Sequence, residues 1–254
     1  MRNRVEEVFD YNFRKMFKVK VFVGILSLAI GCATIRKNDR VYSTTHFKIS
    51  YTAIDDINIK EIGDSLEAGY PKITSQLLSG DLPIVNVHFF ENIVALKKVF
   101  RDFPDWAVGQ AISLSEIHMI SPNNPKQDYQ TMIRNTKHEF AHCVSMKINP
   151  TIGNNPRWLW ESVALYEANL PWDPHMLSYL VSQNPPSNNE LNEMGNIRLY
   201  EVGYFIAQFI VETYGVVTLK SLIQNNGNLK DTLHLDDEAF TKQWFGFVKK
   251  KYGI

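Results

Sequence analysis

Apolar and polar residues alternate along His46-Phe47-Lys48-Ile49-Ser50-Tyr51, which predicts a strand with one face turned to a core. A helix follows to about Leu78. Ile57, Ile62, Leu66, Tyr70, Ile73 and Leu77 recur at roughly helical spacing, Asp55 or Asp56 stands where a cap belongs, and Ser79-Gly80-Asp81 ends the run. Residues 82–90 read as a second strand and residues 92–100 as a short helix. Residues 106–112 and 117–120 read as two more strands, joined by a turn around Leu114-Ser115-Glu116. This order predicts a small mixed sheet covered by helices.

Beyond the Ser121-Pro122-Asn123-Asn124-Pro125 loop the period becomes helical throughout. Met132, Ile133, Phe140, Val144 and Ile148 supply the apolar positions of a long helix. Asp128 stands at its start and Asn149-Pro150 at its end. A second helix is expected over residues 156–169, with Pro156 in its first turn and Pro171-Trp172-Asp173-Pro174 breaking it. Residues 182–192 are polar and rich in Pro and Asn, and read as a surface loop near a cleft. Residues 198–214 form a strongly apolar helix. Tyr200, Gly203, Tyr204, Ala207 and Val211 share one of its faces, and Gly215 ends it. Residues 217–224 and 238–250 are the last two helices. The fold class is therefore α+β: an α/β part over 44–120, then a mainly helical part over 121–254.

The N-terminus has another pattern. Arg14, Lys15, Lys18 and Lys20 precede an apolar run over residues 21–30. That run falls short of the ~20 residues a bilayer span takes and suits the core of a signal peptide. Leu28-Ala29-Ile30-Gly31-Cys32 resembles a bacterial lipoprotein box, with Ala29 where Leu is commonest. On that reading residues 1–31 are a signal peptide, Cys32 is the lipidation site, and residues 32–43 are a tether. The protein would be lipid-anchored in the cell envelope, facing away from the cytoplasm. Glu6, Glu7 and Asp10 are unusual before a signal core, so Met16 is an alternative start. A plain signal anchor or a buried apolar segment are the other readings.

Composition narrows the partners. The chain has 27 basic and 27 acidic residues in 254, so no polyanion is implied and no nucleic acid is expected. Its only cysteines, Cys32 and Cys143, make no disulfide framework. Cys143 reads as a small buried apolar residue.

The chemistry gathers at His138-Glu139-Phe140-Ala141-His142. Residues four apart on a helix lie one above the other, so both imidazoles reach one zinc ion, and Glu139 stands beside them to take a proton from water. Zinc needs a third protein ligand and an open position. Glu161 follows His142 after 18 residues, a gap that holds the rest of one helix, a turn, and the start of another running back. His118 and His175 are further histidines, read as a satisfied strand residue and a loop residue.

HExxH followed 18 residues later by Glu in Trp158-Leu159-Trp160-Glu161-Ser162-Val163-Ala164-Leu165-Tyr166 resembles the gluzincin metallopeptidases and their compact bacterial relatives. The likeness is specific over about residues 106–222. Many relatives have Gly where Ser162 stands. The resemblance implies a zincin-like fold, Zn2+ held by His138, His142 and Glu161, Glu139 as general base, and a peptide or protein substrate. It implies that residues 109–113 form an edge strand lining the cleft. A Tyr that stabilises the oxyanion is also implied: Tyr200 first and Tyr204 second, with both as core aromatics the alternative. The Gly-x-Met-x-Asn signature of the large aminopeptidases is absent, which argues against that activity. The other function class is a catalytically silent zinc-containing envelope lipoprotein that binds a peptide or protein partner.

Overall fold

The computed structural model describes residues 40–254. The expected signal peptide, Cys32 and most of the expected tether lie outside the described residues. The chain folds as α+β, with a five-stranded sheet in the order β1-β2-β3-β5-β4. The strands are β1 (Arg40–Ser43), β2 (Phe47–Tyr51), β3 (Val85–Phe90), β4 (Gly109–Ser113) and β5 (Glu116–Ile120). Strands β2, β3 and β5 run parallel, and β1 and β4 are antiparallel edges. The alternation in the sequence sets the faces. Phe47, Ile49, Val85, Val87, Ile117 and Met119 are buried on the core side. Strand β1 lies in the expected tether. Its four residues are mostly exposed, so no alternation marks them, and pairing with β2 holds them.

Helix α1 (Ile59–Gln76) covers the core face through Ile62, Leu66, Tyr70 and Ile73. Neither Asp55 nor Asp56 caps it. Asn58 holds the cap position, and the buried Asp55 carboxylate instead accepts hydrogen bonds from Ser121 Oγ (2.5 Å) and Asn123 Nδ2 (2.8 Å). Short helix α2 (Ile93–Val99) is capped by Asn92.

Helix α3 (Tyr129–Ile148) begins at Asp128, whose side chain accepts from the Thr131 N–H at 2.8 Å. It lies on the core face. The fully buried Phe140 ring meets Phe47 at 5.2 Å and Tyr70 at 5.5 Å, a burial that contributes about 2–3 kcal/mol. Asn149 then fixes the turn, donating to Ile223 O at 2.8 Å and Asn226 Oδ1 at 3.0 Å. Gly227 follows with φ +69°, and a Cβ there would stand 2.5 Å from Pro156 Cγ.

Helix α4 (Arg157–Glu167) runs back beside α3. Short helix α5 (Ser178–Val181) precedes the segment expected to be a loop, residues 182–192, and that segment itself ends in a second short helix, α6 (Asn188–Asn192). Ser187 and Glu190 form a reciprocal capping box at α6. Helix α7 (Arg198–Tyr214) packs on α4, and α8 (Val216–Gln224), α9 (Leu229–Leu233) and α10 (Asp237–Tyr252) complete the helical part. Helix α9 was not expected. Trp244 and Phe240 of α10 are fully buried, Phe240 against Phe209 of α7. Among the described residues no single helix is long and apolar enough to cross a membrane.

Candidate metal centre

Helix α3 places His138 and His142 one turn apart, with ring centroids 4.6 Å apart and planes near perpendicular. Helix α4 brings Glu161 to them. Its Oε2 lies 3.2 Å from His138 Nε2 and 3.8 Å from His142 Nε2. One ligand atom from each of the three falls within 4.8 Å of the others. Bond lengths of about 2.0–2.2 Å at tetrahedral angles put zinc ligands about 3.3 Å apart, so the spacing fits such an ion. The donor set fits as well: two imidazoles and one carboxylate are borderline ligands of the kind zinc takes. Glu161 Oε2 is buried and has no hydrogen-bond donor among the described residues, and a cation between these atoms would satisfy it.

Glu139 is buried beside the set and accepts a hydrogen bond from the backbone N–H of Ala111, on edge strand β4. This contact links the expected base to the strand expected to line the cleft. Burial pushes the Glu139 carboxyl up to about 7, His138 opposing and the Glu161 charge adding to it. Burial, with the neighbouring His138 ring adding to it, pushes His142 down to about 3, which keeps it neutral. Burial also disfavours charge on His138, but the Glu161 carboxylate outweighs this and raises it. Burial pulls Glu161 the other way, and the adjacent His138 ring, with His142 and Arg157 behind it, outweighs burial and holds it low.

Metal-bound histidines ordinarily donate the second ring N–H to an acceptor. Here neither Nδ1 has a partner among the described residues. Packing orients the ring of His142 instead: Trp160 stacks on it at 3.9 Å with planes 8° apart. Sequence reasoning read Trp160 as part of the Glu161 segment and gave it no such task. Its position next to Glu161 was the available signal.

Tyr200 and Tyr204 separate in the structure. Burial first, then the Glu161 charge, raises the Tyr200 hydroxyl, with Arg157 opposing. Trp106 packs on it at 5.9 Å, and the Arg157 guanidinium sits 5.4 Å from its ring centre. Tyr204 packs with Tyr166 and Phe205, and its charged neighbour is Glu212. Arg157 is buried and donates to the carbonyl oxygens of Leu191 (3.2 Å), Glu193 (3.3 Å) and Asn196 (3.3 Å). It thereby ties the segment that leads into Tyr200 to the first turn of α4. Nothing in the sequence marked Arg157.

Other expected residues fall elsewhere. Cys143 is free and buried, and burial, with the Glu139 charge adding to it, raises its thiol. His175 is exposed and pairs with Asp173 at 3.0 Å. His118 lies on β5 and pairs with Glu116 at 2.6 Å. Ser162 is fully buried at the α4–α7 contact, where Gly203 of α7 supplies the close approach. No protein-family model matches the chain, and no curated protein matches it either.

Proposed function

We propose that the chain is a zinc-dependent metallopeptidase of the gluzincin type. The observation that supports this reading most is the convergence of ligand atoms from His138, His142 and Glu161 within 4.8 Å, on two helices packed together. Those three side chains would hold the ion. When bound, zinc polarises the scissile carbonyl and lowers the pKa of a water from about 16 toward 7.

The chain's own groups do the rest. Glu139 accepts the proton that the water gives up as it attacks the carbonyl carbon, then delivers it to the leaving amine as the C–N bond breaks. A carboxyl held near 7 by burial suits both transfers. The Tyr200 hydroxyl donates to the oxyanion. The substrate backbone adds as a strand along the outer edge of β4, whose Ala111 N–H holds Glu139. A lipid on Cys32 would anchor this domain at the membrane of the cell envelope.

The test is the Glu139→Gln variant of the full-length chain, loaded with zinc and offered a proteome-derived peptide library. The variant keeps its zinc and loses cleavage by about 10²–10⁴-fold. A variant that cleaves as fast as the parent removes Glu139 from the chemistry. A zinc-loaded parent that cleaves nothing supports a peptide-binding role instead.

A further inference from the structure

We propose a second divalent-cation site on the opposite face of the sheet, formed by His88, Glu116 and His118. The parallel pairing of β3 with β5 sets His88 directly across from His118. Glu116 stands two residues before His118, on the same face of β5. That face is the one turned away from Ile117, Met119 and helix α3. One ligand atom from each of the three residues falls within 4.8 Å of the others. The rings of His88 and His118 are 4.7 Å apart, and His118 Nε2 is 2.6 Å from Glu116 Oε1.

Two features separate this group from an ordinary surface pair. His118 is buried, and its Nδ1 has no hydrogen-bond partner among the described residues. With Nε2 donating to the carboxylate, that nitrogen is a buried lone pair without a donor, a cost in free energy that a cation bound to it would offset. Phe90 and Phe100 wall the ring at 5.7 and 4.9 Å, so water is excluded on one side. The Glu116 side chain is 41% exposed, which leaves an entry path and room for solvent ligands.

Two imidazoles and a carboxylate select a borderline first-row cation, zinc among them, over magnesium or calcium. An ion there would clip β3 to β5. Strand β5 pairs with β4, and β4 holds Glu139 through Ala111. The second ion is therefore a structural clip behind the cleft and lies outside the proposed reaction.

The experiment is metal stoichiometry. The full-length chain is stripped with chelator, equilibrated with micromolar zinc by dialysis, and analysed for bound metal, with far-UV circular dichroism as the check on folding. The parent binds about two equivalents. His88→Asn with Glu116→Gln, at the two more accessible ligands, binds about one and keeps the parent's spectrum. His138→Ala with His142→Ala also binds about one, and that equivalent disappears when the His88 and Glu116 changes are added. A parent that binds a single equivalent, lost when His138 and His142 are replaced, overturns the proposal. So does a stoichiometry unchanged by the His88 and Glu116 replacements. Neither result touches the assignment of His138, His142 and Glu161, because the His138 and His142 variant reads that site separately.

Discussion

Trp160 does for His142 what a hydrogen-bond acceptor ordinarily does for a metal-bound histidine. Its indole lies flat on the imidazole at 3.9 Å, while His142 Nδ1 has no acceptor among the described residues. Stacking fixes the ring plane without fixing the proton. Trp160→Leu should therefore weaken zinc by about 10–100-fold, the loss typical when a group behind a metal ligand is removed. Trp160→Phe should recover most of it, because a phenyl ring still stacks. Competition against a chromogenic chelator measures both. A leucine variant with the parent's affinity would show that the ring needs no such support. The pairing of His138 with His142 was legible because helix geometry alone brings residues four apart together. Trp160, Arg157 and the Ala111 N–H were not, because each meets its partner only after separate segments pack.

Helices α4 and α7 set where Glu161 stands. Their contact closes at Gly203, where a Cβ would meet Leu165 Cδ1 at 2.8 Å, Ser162 Oγ at 3.1 Å and Ser162 Cα at 3.2 Å. Replacing a helical glycine with alanine ordinarily gains up to about 1 kcal/mol. Here one of the opposing atoms is backbone, so the helices must part, at a cost of about 1–3 kcal/mol. Gly203→Ala should lower stability on balance and weaken zinc as well, since Ser162 adjoins Glu161. Urea melts and zinc competition on the same preparation check both. Unchanged zinc affinity would mean that Glu161 is placed independently of α7. Element boundaries were legible where end signals are strong. Asp128 and Asn149 bracket α3 and Gly215 ends α7, all as expected from the sequence. They were not legible at β1, whose exposed residues carry no period and which exists through pairing. Nor were they at α6, where the polar composition hid a Ser187–Glu190 capping box. Asp55 shows the same limit from the other side, because a residue suited to cap a helix is used by a loop more than sixty positions away.

The molecule as a whole carries an unpaired acid in its interior. Both oxygens of Glu167 are buried without partners among the described residues, and burial pushes its carboxyl up to about 8 from 4.5. Between those values the folded chain holds a proton that the unfolded chain releases. Stability therefore falls as pH rises from about 4.5 to about 8, at up to ~1.4 kcal/mol per pH unit from this group. Glu167→Gln should remove that slope, so the variant's advantage over the parent grows by ~1 kcal/mol or more between pH 5 and pH 8. Urea unfolding at the two pH values reads it, and a difference independent of pH would show that Glu167 is solvated. The central claim is that the two helices of one core hold a single ion between them. Diffraction from crystals of the zinc-loaded full-length chain, recorded at the zinc absorption edge, tests it most directly. The account predicts an anomalous peak within about 2.2 Å of His138 Nε2, His142 Nε2 and a Glu161 carboxylate oxygen. A zinc-loaded crystal with no peak between these side chains, and Glu161 turned from the two rings, would contradict it.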